Sequence, residues 1–421
     1  MNIRNLFFLS KYFWYLIASL LIVSCQTTTA LGTRPAQINK PASINSSDLV
    51  LGAQNIHEYL ASLQGKRVGL VVNQTSMLYK YTNNTTPQKA QHLVDFLRSH
   101  NVNVVVMFAP EHGVRGNKGA GEHIENGKDA NTLIPIQSIY GKNKTPPSSI
   151  MQNLDLIIFD IQDVGTRFYT YISSMHYMME AAAAHDVEFI VLDRPNPNGE
   201  FTDGPVLDMS FQSFVGMHPI PILHGLTVGE LALMIKGEKW IENAENLRLK
   251  VVNMLRYKKS LVYDLPVAPS PNLPNYQAIR LYPSLCFFEP TAVSIGRGTE
   301  FPFQVTGHDR VRLGDFAFTP VSKPFAAPSP KLINTPLLGL DLQQSNKQGL
   351  DLRLFIEYYQ AFKAQNITFY TTPSFMDKLA GTDKLRKAIE DGVSIEDIRE
   401  SWQADLTQYK EMRKPYLLYA Q

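Results

Sequence analysis

The sequence predicts an α/β protein: a doubly wound sheet of parallel strands followed by an α+β region. Four short apolar runs, at residues 67–73, 102–110, 154–160 and 187–193, each end in polar residues, the pattern of buried parallel strands. Helical segments at 89–100 and 168–185, the second with an alanine run at 181–184, lie between them. The order βαβα favours a doubly wound sheet. Beyond about Asp264 the texture changes, with Pro266, Pro271, Pro274 and Pro283 in succession and helices only late. The domains are accordingly expected at 49–265 and 266–421.

Taken in order, residues 1–24 read as a secretion signal. Arg4 and Lys11 precede an apolar stretch from Tyr12 to Val23, shorter than the roughly 20 residues of a membrane-spanning helix. The segment Ile22-Val23-Ser24-Cys25 resembles a bacterial lipobox, which makes Cys25 the lipidation site; the alternative is an ordinary cleaved signal with a cysteine at its border. Gln26 rather than Asp follows, so the expectation is an exported protein, lipid-anchored to the outer membrane and facing the periplasm. Residues 25–48, rich in Thr, Ser, Asn and Pro, read as a flexible tether. With Cys25 lipidated, the one other cysteine, Cys286, has no intramolecular partner.

Within the first domain, Thr227-Val228-Gly229-Glu230 has the spacing of a capping box that opens a helix, and 247–254 reads as a further strand. In the second, helices are expected at 351–364, at 384–391 and from Ser394-Ile395-Glu396-Asp397. The chain has 421 residues, 44% of them hydrophobic, too apolar for disorder. It carries 40 Lys+Arg against 38 Asp+Glu, and removal of residues 1–24 leaves 38 of each sign. That balance offers no phosphate-neutralising surface, so nucleic acid is not an expected partner; no protein partner is predicted.

The chemistry is expected where the strands end, because open α/β sheets bind ligands beyond the carboxyl ends of their strands. Those ends read Asn73-Gln74-Thr75-Ser76, Pro110-Glu111-His112-Gly113-Val114-Arg115-Gly116, Asp160-Ile161-Gln162-Asp163-Val164-Gly165-Thr166-Arg167 and Asp193-Arg194-Pro195-Asn196-Pro197-Asn198-Gly199. Four polar tails together suggest a polar cleft. The loop after the second strand is densest in ionisable groups, with Glu111, His112, Arg115, Lys118, Glu122, His123 and Glu125 among four glycines. Two carboxylates tuned by His and Arg match the needs of glycoside hydrolysis, one protonated acid and one ionised base, nucleophile or cation stabiliser. Asp163 is either catalytic or a cap for the helix near Phe168. Arg167 either holds a substrate carboxylate or pairs with Asp163. Asp193, Arg194 and Asn196 can reach sugar hydroxyls, although Asn-Pro-Asn-Gly is also a turn signal. His224 is a ligand contact or a structural histidine. No dinucleotide fingerprint, P-loop, paired CxxC, H-E-x-x-H or serine nucleophile elbow is present, and His112, Glu122 and His123 match no established metal-ligand spacing. Neither cofactor nor metal is expected.

The segments 69–76, 108–116, 160–169 and 192–197, continued by Gly204-Pro205, Pro271-Asn272-Leu273-Pro274, Tyr282-Pro283-Ser284, 296–303 and 413–419, resemble in order the exo-β-N-acetylmuramidases of NamZ type, glycoside hydrolase family 171. The resemblance implies a two-domain enzyme with a Rossmann-like N-terminal domain that needs no nucleotide and releases β-1,4-linked N-acetylmuramic acid (MurNAc) from the non-reducing end of peptidoglycan fragments. On this chain it implies Glu111 and Glu122 as principal catalytic carboxylates, with His112 and Asp163 tuning or orienting them. Asn73, Tyr169 and His224 become substrate contacts. Arg115, Arg167 or Arg297 would hold the lactyl carboxylate, and Arg297, Thr299 and Glu300 would close the cleft from the second domain. Two other readings of the same cleft are a non-catalytic muropeptide-binding lipoprotein and a metal-dependent amidase or esterase acting on the cell wall.

Overall fold

A computed structural model describes residues 49–82, 86–116 and 125–420. The signal, Cys25, the tether, Lys118, Glu122 and His123 lie outside the described residues. The first region contains strands β1 (Arg67–Val72), β2 (Met77–Thr82), β3 (Thr86–His92), β4 (Asn103–Ala109), β5 (Gly127–Lys128), β6 (Pro135–Ser138), β7 (Leu156–Asp160), β8 (Glu188–Leu192) and β9 (Leu249–Val252). Its helices are α1 (Leu93–Ser99), α2 (Ser148–Met151), α3 (Tyr171–Ala184) and α4 (Val228–Gly237).

Seven of these strands form one sheet in the order β5-β6-β4-β1-β7-β8-β9, parallel except where β5 meets β6. The direction of winding reverses at β1, which pairs with β4 on one side and β7 on the other. Alternate residues of β1 explain why both faces are covered. Val68, Leu70 and Val72 join Leu93, Val94 and Leu97 of α1 in one core, whereas Val71 joins Ile172 and Met175 of α3 in the other. α4 starts at the capping box read from the sequence: Thr227 Oγ1 accepts from Glu230 N at 3.2 Å, and Glu230 Oε2 accepts from Thr227 N at 2.9 Å.

The expected helix 89–100 is shorter than its pattern. Residues 86–92 pair with β2 as an antiparallel hairpin, and the helix begins only after His92, whose Nδ1 accepts from Val94 N. Cross-strand pairing outweighs helical periodicity in so short a stretch. The later region adds α5 (Tyr276–Leu285), β10 (Val305–His308), β11 (Phe316–Phe318), β12 (Leu337–Asp341), α6 (Arg353–Ala364), α7 (Pro373–Ala380), α8 (Lys384–Glu390), α9 (Ile395–Glu400) and α10 (Gln403–Arg413). β10, β12 and β11 form a separate antiparallel sheet. α5 hides in the proline-rich stretch: Asn275 caps it through Oδ1 and Ala278 N, and Pro283 falls within the helix. The described residues belong to one compact unit, and one core cluster joins Phe159, Ile172 and Leu231 to Phe287, Phe355 and Tyr358.

Candidate active site

The carboxyl ends of β4, β1 and β7 bring the central groups together. After β1, Asn73 is fully buried, and its Oδ1 accepts from Thr75 N at 2.8 Å and Thr75 Oγ1 at 2.6 Å. Thr75 Oγ1 also accepts from Gln162 N at 3.0 Å, and Ser76 Oγ donates to Asp160 O, so the tails of β1 and β7 are tied into one floor. After β4, the chain turns through His112 and Gly113 at φ 70° and 77°, left-handed backbone that is uncommon for a residue other than glycine. This turn projects Glu111. Its Oε1 accepts from Tyr140 Oη at 2.9 Å and its Oε2 from Thr170 Oγ1 at 2.9 Å, while Tyr171 Oη reaches the Glu111 carbonyl at 3.3 Å. Burial and then the nearby Glu111 push the Tyr140 phenol up, so it remains a donor. His112 is 4% exposed beside this group.

Asp163 follows β7. Its Oδ2 accepts from Gly165 N at 2.7 Å, and among the described residues Oδ1 has no hydrogen-bond partner. Burial raises this carboxyl to about 7. The His224 imidazole is no counter-charge. His224 Nε2 stands 3.8 Å from Asp163 Oδ2, beyond hydrogen-bond range, and His224 is held neutral, lowered to about 3 first by burial and then by Lys259 and Arg413. Gly165 has φ 78°, and a Cβ there would lie 2.0 Å from Asn196 Oδ1, so only glycine permits this turn.

Burial first, then Tyr171 and Tyr282, and last Asp163 and Glu111 raise the Tyr169 phenol. It packs edge-on against Tyr171 and Tyr282, and its hydroxyl donates to Pro269 O at 2.8 Å. Gln74 Nε2 also reaches Ala268 O and Pro269 O. Ala268 and Pro269 are therefore tied to the residues that follow β1 and β7. Edge-on ring contacts continue from Tyr282 to Phe303, over which Arg297 stacks at 5.1 Å.

Several expected ligand contacts are engaged inside the protein instead. Arg194 makes a buried bidentate pair with Asp160, at 2.6 and 2.9 Å. Arg167 is fully buried and does not pair with Asp163; its guanidinium donates to the carbonyls of Pro205, Ile220 and Leu379. Asp193 accepts from Arg194 N, Gly229 N, Thr227 Oγ1 and Tyr419 Oη. Asn196 bridges Leu226 O and Asn198 N. Arg115 spans Asp129 and Asp95, and Arg297 pairs with Glu289 at 2.6 Å. Thr299 Oγ1 donates to its own turn at Gly296 O, and the exposed Glu300 pairs with Lys323. Each of these groups is a strong hydrogen bonder that already has a partner within the fold.

Conversely, Tyr140, Thr170 and Tyr171 join the site without having been singled out in the sequence. Thr170 and Tyr171 directly continue the motif that ends at Tyr169. Nothing local marks Tyr140, which arrives through the short strand β6. Among the described residues no group of three or more His, Cys, Asp or Glu side chains is arranged to hold a metal ion.

A family model described as "Exo-beta-N-acetylmuramidase NamZ, N-terminal" matches residues 68–277, and its C-terminal counterpart matches 280–419. The peptidoglycan beta-N-acetylmuramidase NamZ of Bacillus subtilis (strain 168) is 36% identical over 385 residues, 86% of this chain and 89% of that protein. Two crystal structures of DUF1343 family proteins from Bacteroides fragilis NCTC 9343 are similar. One has 40% identity and a TM-score of 0.76, covering 89% of this chain and 99% of its own; the other has 30% identity and a TM-score of 0.71, covering 88% and 99%.

Proposed function

Because the chain belongs to the exo-beta-N-acetylmuramidase NamZ family, we propose that it is an exo-acting glycoside hydrolase that releases MurNAc from the non-reducing end of peptidoglycan fragments such as MurNAc-β-1,4-GlcNAc. The observation that carries the chemistry is the contrast between two carboxyl groups that follow β4 and β7, the strands on either side of β1. Glu111 accepts a hydroxyl hydrogen bond on each oxygen, an arrangement suited to an ionised base or nucleophile. Asp163 is buried, one of its oxygens has no hydrogen-bond partner among the described residues, and it is raised to about 7, which suits a proton donor to the leaving oxygen. Glu122, on the loop after β4, is the second donor candidate, and His112 orients Glu111 from the same turn. Asn73 and Tyr169 contact the sugar in this reading. The fold is read as Rossmann-like on the winding reversal at β1, with the site where such a sheet places ligands.

The lipobox-like Ile22-Val23-Ser24-Cys25 and Gln26 support a lipid anchor at Cys25 and an outer-membrane position facing the periplasm. Cys25→Ala is expected to move the protein from the membrane to the soluble fraction.

The test of activity incubates protein lacking residues 1–25 with MurNAc-β-1,4-GlcNAc and with the reversed-order disaccharide, with and without chelator, and reads products by mass spectrometry. Free MurNAc from the first substrate alone, unaffected by chelator, is the expected result. Binding without turnover would favour a muropeptide receptor, and chelator-sensitive loss of peptide or ester bonds would favour a metal-dependent hydrolase.

A further inference from the structure

His224 carries a hydrogen-bond donor that the fold leaves unused, and that donor stands beside Asp163. The segment that holds it is fixed to the turn after β7. Arg167 N donates to Ile222 O at 2.8 Å, and Leu223 pairs antiparallel with Thr166 and with Asp203. The His224 carbonyl accepts from Tyr409 Oη at 2.7 Å and Arg413 Nη1 at 3.0 Å. On the ring, Nδ1 accepts from Leu226 N at 3.2 Å. Burial, and then Lys259, Arg413 and Arg167, keep this ring neutral. A neutral imidazole that accepts at Nδ1 carries its hydrogen on Nε2. Nε2 is buried and has no hydrogen-bond partner among the described residues, although Asp163 Oδ2 is 3.8 Å away.

A buried donor left unpaired is costly, and Asp163 supplies a state in which it is used. While the carboxyl is protonated, no charge draws it toward Nε2–H. When the glycosidic C–O bond breaks, the leaving oxygen keeps the electron pair of that bond and takes the Asp163 proton, and the carboxylate is left negative in the interior. Its Oδ1 has no partner among the described residues, and its remaining donors are the backbone amides of Gly165 and Val164. A shift of about 1 Å brings it within the roughly 2.8 Å of a charge-assisted hydrogen bond to His224. The other groups that act on the pair are Lys259, Arg413, Arg167 and His218 around His224, and the Tyr169 phenol for Asp163. Lys259 is itself paired with Glu230 at 2.9 Å, and burial keeps the phenol protonated and His218 neutral.

We infer that His224 is a positioning residue for the proton donor: its Nε2–H receives the Asp163 carboxylate as the proton leaves. The inference rests on the proposed exo-muramidase reading with Asp163 as the acid.

The test compares MurNAc-β-1,4-GlcNAc with β-MurNAc fluoride, whose leaving group needs little protonation. His224→Asn keeps an acceptor for Leu226 N and removes the Nε2 donor, whereas His224→Gln returns an amide N–H near the Nε2 position. A donor to the charged form lowers the pKa of an acid, so its loss raises it. In His224→Asn the alkaline limb of kcat/KM on the disaccharide is expected to move up by about one pH unit. Its kcat on the disaccharide is expected to fall roughly tenfold, with less than about a twofold fall on the fluoride, and His224→Gln is expected to restore both the limb and the rate. A merely structural role would lower both substrates alike and leave the limb in place, and that result overturns the inference. If circular dichroism shows that a variant fails to fold, the test passes to the wild type, in which the His224 Nε2–H resonance is expected to shift with the ionisation of Asp163 followed by ¹³C-aspartate NMR. A resonance that does not move with that ionisation overturns the inference whether or not either substrate is turned over. Wild-type failure on both substrates would instead overturn the exo-muramidase reading, and the role of His224 in it.

Discussion

Asp163 and Glu111 are both carboxyl groups near the end of a parallel strand, yet their surroundings differ in kind. Glu111 faces two hydroxyl donors; Asp163 faces burial, the backbone amides of Gly165 and Val164 and a neutral imidazole. A carboxyl raised to about 7 is largely protonated below that pH and loses its proton above it. If it donates to the leaving oxygen, kcat/KM for MurNAc-β-1,4-GlcNAc is expected to decline as pH rises through about 7. Asp163→Asn is expected to lower turnover of the disaccharide by roughly 10²- to 10⁴-fold, the usual worth of a positioned acid. The same variant should lose far less on β-MurNAc fluoride, which needs little protonation to depart. Equal losses on both substrates would remove Asp163 from the proton-donor role. Tyr140→Phe, which deletes one of the two donors to Glu111, is expected to reduce kcat more than KM, as a positioning residue would.

At the scale of elements, α4 shows how a locally readable signal acquires a distant function. Thr227 caps the helix through Glu230 N and also donates to Asp193 Oδ2 at 2.7 Å. Asp193 in turn accepts from Gly229 N, so the end of β8 is anchored to the first turn of α4. Thr227→Ala removes the cap and one buried hydrogen bond and is expected to cost about 1–2 kcal/mol. Urea unfolding checks this as a lowered midpoint with an unchanged slope. The hairpin of β2 and β3 is the counterexample. Its second strand carries a pattern that also suits a helix, and only its partner strand decides between them.

At the scale of the whole molecule, the C-terminal segment returns to the first sheet and meets a buried ion pair. Lys259 Nζ lies 2.9 Å from Glu230 Oε2, with both side chains fully buried. Glu230 Oε1 accepts from Leu418 N at 2.8 Å and Tyr419 N at 3.3 Å, and Tyr419 Oη reaches Asp193 Oδ2 at 2.7 Å. Lys259→Met leaves the Glu230 carboxylate unpaired in the interior and is expected to destabilise the protein by about 3–5 kcal/mol. A calorimetric or denaturant measurement that finds less than about 1 kcal/mol would mean that this pair is dispensable. The strands β1, β4, β7, β8 and β9 and several helix starts are legible in the chain itself, because apolar runs, capping residues and polar strand ends are patterns of neighbouring residues. The family resemblance is legible for the same reason, as motifs in order. The duties of the polar residues are not. Arg194 and Asp160 are 34 residues apart, Arg167 and Leu379 are 212 apart, and Asp193 and Tyr419 are 226 apart. Whether such a group faces a ligand or completes the fold depends on which distant partner the packing brings within 3 Å, and no local pattern encodes that distance.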